Sequence, residues 1–194
     1  MIKMDSAQLQ VQLKQKTAQL AAVREISQAI AQAQDLAATL DLITKRTAEL
    51  MAVESCSIYL YDADKDVLML EASTGLNQEG IGQMSLPWGI GLTGWAARHG
   101  QLVAVADAQS DSRFYHVVGS GEGRFASLMA MPLITSGTVS GAANVQTTQT
   151  HTFTDDEIEL FGFISELAAT ALEKAKMVHA AVVQEIHHRV KNNL

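Results

Sequence analysis

The chain has 194 residues, with 14 Lys+Arg against 21 Asp+Glu and a formal net charge of −7. That acidic balance excludes a general binder of the nucleic-acid backbone, which needs a basic face, and the single cysteine, Cys56, excludes an internal disulfide and a cysteine-built zinc site while fitting a reducing, cytoplasmic setting. The apolar runs fall far short of the ~20 residues of a membrane span and no basic-then-apolar leader is read at the start, whereas 47% hydrophobic content suits a packed core in one domain of roughly 100–200 residues.

Residues 5–34 carry no Gly or Pro and are rich in Ala, Gln and Leu, which predicts one helix. Leu9, Leu13, Leu20, Val23, Ile26 and Ile30 recur three, four or seven apart. They form a narrow apolar stripe on a Gln-rich surface, as a coiled coil or helical bundle uses; a helix docked on its own domain is the alternative. Asp35 caps or interrupts before a second helix over 36–52, with Leu36, Leu40, Ile43 and Leu50 inward.

The period then changes. Residues 57–62 and 67–70 read as strands joined by the Asp-rich turn 62–66, a hairpin signal. Residues 75–91 read as Gly-rich loop, and the glycines at 75, 80, 82, 89, 91 and 94 are expected to give a pocket rim freedom to order. Residues 92–99 suit a short helix stopped by Gly100. A short strand over 102–105 and a polar loop over 107–124 follow. Residues 127–134 and 139–147 then read as a central antiparallel pair across Ser136-Gly137. Thr154, with Glu157 three residues on, completes a capping box that opens the last helix. Apart from Gly162 that helix meets no Gly or Pro up to Leu194. A helix of ~40 residues is ~60 Å long; it must leave so small a domain and pair with something. With no stop signal at its end, the chain reads as a fragment cut inside a helix.

Gly91-Leu92-Thr93-Gly94-Trp95-Ala96-Ala97-Arg98-His99-Gly100-Gln101-Leu102-Val103 resembles the core motif of a GAF domain, and Asp107-Ala108-Gln109-Ser110-Asp111-Ser112-Arg113-Phe114 continues it. Ser127-Leu128-Met129-Ala130-Met131-Pro132-Leu133, Gly141-Ala142-Ala143-Asn144-Val145 and Phe153-Thr154-Asp155-Asp156-Glu157 follow in the family's order. The match covers about 36–175. It implies an α+β fold: an antiparallel sheet with helices on one face and a small-ligand pocket on the other, set between long coiled-coil-type helices. Trp88, Trp95, Phe114, Tyr115, His116 and Phe125 are the candidate ligand-binding residues. Where bilin-binding relatives carry a Cys-His pair, this chain has Tyr115-His116, and a tyrosine cannot form the thioether; no covalent bilin is expected. The Asn-Lys…Phe…Asp-Glu pattern of cyclic-nucleotide GAF domains is not visible. Haem through His116 or His99 stays open beside the reading of both as ordinary loop or surface histidines. A GAF oxidoreductase needs reactive cysteines, which one strand cysteine does not supply. No catalytic triad or carboxylate pair stands out in this domain, and the ligand and cofactor stay unknown.

Glu185-Ile186-His187-His188-Arg189-Val190-Lys191-Asn192-Asn193-Leu194 resembles the phosphoacceptor box of sensor histidine kinases, in the subfamily with a His-Arg-Val-Lys-Asn core. Val183, His187, Val190 and Leu194 are spaced four, three and four, so His187 shares an apolar stripe while His188 lies with Gln184, Lys191 and Asn192 on the polar side. A phosphoacceptor must reach water, nucleotide and partner, which favours His188, as does the family motif. Arg189 and Lys191 can offset phosphate charge. Asn192, one turn on, is placed to hydrogen-bond a reacting group, and Glu185, one turn back, to polarise the imidazole. Adjacent histidines point ~100° apart on a helix, a poor chelate, so no metal site is expected.

These readings divide the chain into a signalling helix over 1–34, a GAF sensory domain over 35–175, and a linker helix over 176–194 that begins the dimerisation and histidine-phosphotransfer domain. The expected protein is a cytoplasmic two-component sensor kinase: a homodimer that partners a response-regulator receiver domain, with no nucleic acid and no membrane span. ATP and Mg²⁺ belong to a kinase domain that 1–194 does not contain, so this chain alone should be inactive. The rival is a stand-alone dimeric GAF module that binds a small ligand without phosphotransfer.

Overall fold

The structure, a computed structural model, describes residues 6–32 and 35–192, with side chains described between 9 and 184 except at 12, 15, 33 and 34. The described chain runs α1 (Ser6–Gln32), α2 (Leu36–Met51), β1 (Ser55–Asp62), β2 (Val67–Ser73), β3 (Ser85–Pro87), α3 (Gly91–His99), β4 (Val103–Val105), β5 (Ser127–Thr135), β6 (Thr138–Thr147) and α4 (Asp155–Asn192). The strands form one antiparallel sheet in the order β3-β2-β1-β6-β5-β4. The β5–β6 pair is present with Ser127 opposite Thr147, but the middle of the sheet falls between β1 and β6. Strand β3 lies inside the stretch read as loop. Three residues cannot display a two-residue period, and Pro87 sits on the sheet edge, where its missing N–H leaves no ladder bond unmade.

The helix ends follow local chemistry. Asp35 accepts from the N–H groups of Ala37 (3.1 Å) and Ala38 (3.4 Å) and so caps α2. Gly100, at φ 63, closes α3. The capping box of α4 is reciprocal: the Thr154 N–H donates to Glu157 Oε2 (2.7 Å) and the Glu157 N–H to Thr154 Oγ1 (3.3 Å).

Side chains alternate across the sheet. One face meets α1, α2 and α4 and buries Ile26, Leu40, Ile43, Ile58, Met129, Leu133, Phe161 and Ile164. Each such side chain stabilises the fold by ~1.5–3 kcal/mol. The other face is covered by α3 and by the loops before β3 and β5. The long helices are docked over part of their length only. Ile26 and Ile30 of α1 are buried, whereas Leu9, Leu13 and Leu20 are exposed; α4 buries Phe161 through Leu172 along one side and then exposes Met177, Val178, Val182 and Val183. The apolar stripe of α1 thus serves both readings: its last turns dock on the domain and its first turns do not. Among the described residues no helix is long and apolar enough to cross a membrane.

Candidate functional site

On the sheet face away from α2 and α4 lies a cavity of about 20 Å³. Tyr59 of β1, Thr93 of α3, Asn144 and Gln146 of β6, and Glu122 of the loop before β5 supply its polar wall; Leu86, Leu92, Phe114 and Leu128 supply the apolar one. Asn144 and Gln146 are two apart on one strand, so they share a face, and both are buried. The Asn144 amide nitrogen donates to Thr93 Oγ1 at 2.8 Å. Asn144 Oδ1 and Gln146 Oε1 are buried with no hydrogen-bond partner among the described residues.

Glu122 is buried in a single helical turn, Glu122–Arg124. Its Oε1 accepts from the Val117 N–H at 2.9 Å and stands 3.7 Å from His116 Nδ1. Burial pushes its carboxyl above the ordinary value, and the Val117 N–H and His116 pull it partly back. Burial also raises the Tyr59 hydroxyl, the charge of Glu122 adds to that, and Asn144 offsets part of it.

Of the sequence-derived ligand candidates, Phe114 and Tyr115 line this cavity. The others lie beside it. Trp88 packs on Tyr61 with ring centroids 4.2 Å apart. Trp95 stacks on His99 at 4.1 Å, with the Arg113 guanidinium 5.0 Å from its ring centre. Phe125 is core, and His116 is half exposed beside Glu122. Neither His99 nor His116 lines the cavity between Tyr59, Glu122 and Asn144. Cys56 points into the opposite, helix-covered core, where burial pushes its thiol up to about 12, far from a reactive thiolate. The rim glycines are not uniformly loose. Gly91 needs its φ of +75, but a Cβ on Gly94 would come within 3.2 Å of the Gly89 backbone, so Gly94 is there for close approach.

Glu122, Asn144, Gln146, Thr93 and Tyr59 were not read from the sequence as site residues. One signal was available for part of the set: Asn144 and Gln146, two apart, place polar groups on one face of a strand that carries the apolar Ala143 and Val145 on the other. Glu122 in its glycine-rich loop carries no such mark. Glu185, His188 and Asn192 sit on the helical backbone of the last turns of α4, and their side chains lie outside the described residues, as Leu194 does altogether. Val183 and Gln184, just before them, are exposed. Among the described residues no group of three or more His, Cys, Asp or Glu could hold a metal ion.

A family model for the GAF domain matches residues 33–173. The chain belongs to the GAF-domain family. It is 30% identical over 115 residues to a phosphoenolpyruvate-dependent phosphotransferase system protein of Escherichia coli, a match covering 59% of this chain and 15% of that protein. It is 26% identical over 140 residues to the dual 3',5'-cyclic-AMP and -GMP phosphodiesterase 11A of Takifugu rubripes, covering 66% of this chain and 16% of that one. The chain therefore spans about 15% of the length of the curated relatives it matches. The GAF domain of a phosphoenolpyruvate-protein phosphotransferase from Coxiella burnetii superposes with a TM-score of 0.78 at 25% identity, covering 84% of this chain and 98% of that one. The corresponding Acinetobacter domain gives 0.75 at 29% identity, covering 82% and 95%. The domain is a regulatory, sensory module by family; the relatives are parts of phosphotransferases and a phosphodiesterase, and none of these is a sensor histidine kinase.

Proposed function

We propose that this chain is the sensory input region of a two-component histidine kinase, in which the GAF domain senses a small ligand and controls phosphorylation of His188. The observation that carries the reading is α4. It starts at the capping box of Thr154, passes through the GAF core at Phe161 and Ile164, and continues as helix to Asn192, so one rod joins the sensory core to the His-Arg-Val-Lys-Asn box. A ligand that favours one packing of α4 against α1 shifts the population of stalk states and with it the reach of a kinase domain to His188. In the chemistry proposed, a ring nitrogen of His188 takes the γ-phosphoryl group of ATP, ADP leaves, and Glu185 or solvent takes the ring proton; Asn192 hydrogen-bonds the phosphoryl oxygens. The group then passes to an aspartate of a response regulator. The protein acts as a parallel homodimer in the cytoplasm.

The likeness to phosphotransferase GAF domains at 25–30% identity favours a second reading, the regulatory domain of an enzyme whose phosphoryl donor is phosphoenolpyruvate. One experiment separates them. The full-length gene product is incubated with labelled ATP or labelled phosphoenolpyruvate. Acid-labile label from ATP, lost in His188→Gln and kept in His187→Gln, is expected. Label that persists in His188→Gln and disappears in His187→Gln overturns the assignment of the histidine. Label from phosphoenolpyruvate alone selects the second reading, and no label from either leaves a dimeric binding module without phosphotransfer.

A further inference from the structure

Asn144, Gln146 and Glu122 line one cavity together with Tyr115. Asn144 and Gln146 are 3% and 4% exposed, Glu122 8%. The Asn144 amide nitrogen is engaged by Thr93, which leaves Oδ1 as its unpartnered atom beside Gln146 Oε1. A buried acceptor without a donor forfeits its hydration and gains nothing in return, and native folds keep few of them without a reason. Here two stand on one face of one strand, in a cavity that Glu122 also lines and whose other polar side chains include the hydroxyls of Tyr59 and Thr93. His116, the basic group that faces Glu122, is half exposed and 3.7 Å from it.

The demand of such a wall is for hydrogen-bond donors with positive charge. A carboxylate or phosphate ligand would face the Glu122 charge across a low dielectric. A water has two protons and leaves one of the three acceptors unmet. An –NH₃⁺ group has three donors and one charge, matching Glu122, Asn144 Oδ1 and Gln146 Oε1 in number and sign. The volume, about 20 Å³, admits one group of that size, since a single water needs at least ~10–15 Å³ on this measure.

We propose that the cavity binds an ammonium group with three N–H donors, the head of a primary amine or amino acid or ammonium itself, with Glu122 as its counter-ion and Asn144 and Gln146 as its acceptors. Tyr115 lines the cavity and is 43% exposed, so it is the side chain that the remainder of a larger ligand must pass. The proposal rests on the reading of the domain as a ligand sensor and is independent of the phosphotransfer assigned to His188.

The test is an NMR titration of the uniformly ¹⁵N-labelled chain, following the side-chain amides of Asn144 and Gln146. Methylammonium chloride, ammonium chloride and glycine are compared at equal ionic strength with tetramethylammonium chloride, which has the charge and no N–H, and with sodium acetate. Saturable shifts with one or more of the first three, and not with the last two, are expected; which of the three binds tells the bare ion from an amine or an amino acid. Glu122→Gln keeps an acceptor for the Val117 N–H and should weaken binding at least tenfold. Gln146→Met removes an oxygen that bonds to nothing in the fold and should weaken binding while leaving the spectrum dispersed. Shifts of equal size with tetramethylammonium or acetate, unchanged affinity in Glu122→Gln, or no saturable shift with any of the three overturn the proposal. Amine binding that persists in a full-length protein showing no label on His188 would remove the kinase reading and leave this one standing.

Discussion

Lys174 Nζ, on α4, donates to the backbone carbonyl of Ile30 at 2.7 Å and to that of Ala31 at 2.6 Å. These carbonyls belong to the last turn of α1, whose final four C=O groups have no partner within the helix and carry the negative end of its dipole. A lysine there is a cap supplied by another helix. It sits beside the buried Ile30 and Ala171, and a second tie, Arg46 to Glu25 at 2.7 Å, holds α1 to α2. The register of α1 against α4 is thus fixed at the end of α1, where α4 leaves the domain.

Lys174→Met keeps the side-chain stem and removes the donor. It should cost about 1.5–3 kcal/mol of stability, the usual worth of hydrogen bonding by a charged group, and the loss should be local. Hydrogen exchange should quicken in the last turns of α1 and stay unchanged in β1 and β6. Equal protection of α1 in the variant and the parent would show that Ile26 and Ile30 alone hold the helix.

Glu122 makes the stability of the domain depend on pH. Burial raises its carboxyl above the ordinary value of 4.5, so the folded state holds the proton more tightly than the unfolded chain. The contribution is fully favourable below that ordinary value and declines as pH rises through the raised one, above which the buried charge is a standing cost. Glu122→Gln behaves as a permanently protonated side chain. Without added ligand its Tm should exceed that of the parent by a few degrees above the raised value and converge with it in acid. A gap that widens toward low pH would reverse the sign and refute the account.

The order of elements was legible because each carries its own local chemistry: the Asp35 cap, the Thr154–Glu157 box, the Gly100 stop, and the change of period at Ser57 and Ile58. The edge strand Ser85–Pro87 was not legible, because its pairing with Val67 to Met69 is a long-range contact that three residues cannot announce. The cavity was half legible. Aromatic residues drew attention to Phe114 and Tyr115, but the polar wall depends on which face β6 turns to α3, and that is decided by Ala143 and Val145 burying against α2 and α4. Glu122 reaches Val117 and His116 through a loop fold that no periodicity encodes.

Cys56 tests the exclusion of thiol chemistry. Its side chain is 1% exposed and its thiol is pushed up to about 12, chiefly by burial, with a contact to Thr47 pulling the other way. Iodoacetamide should label the folded chain at the rate of global unfolding, so labelling and the denaturant transition should coincide. Labelling in native buffer at the rate of a free thiol would put Cys56 on the surface and reopen a redox role.

The exposed apolar stripes predict the oligomer. Leu13 and Leu20 of α1 are 69% and 71% exposed, and Met177 and Val182 of α4 are 68% and 52% exposed. Two open grooves border these stripes, one of about 580 Å³ between α1 and α4 around Leu20 and Phe163 and one of about 520 Å³ between α4 and the start of α2 around Val178 and Val182. A monomer seldom leaves such a run of large apolar groups to water, and a second copy of the chain presents the same two stripes in return, as an isologous contact requires. Light scattering should therefore find a dimer. The double variant Leu20→Glu with Val182→Glu should be a monomer, because it places charge on both stripes. Its stability, extrapolated to the monomer, should change by no more than ~0.5 kcal/mol, as is usual at exposed positions, since neither side chain contributes to the core around Phe161 and Ile164. A parent that is monomeric at all accessible concentrations would remove the stalk from the mechanism, because ligand-driven repacking of α1 against α4 would then have no second protomer to act on.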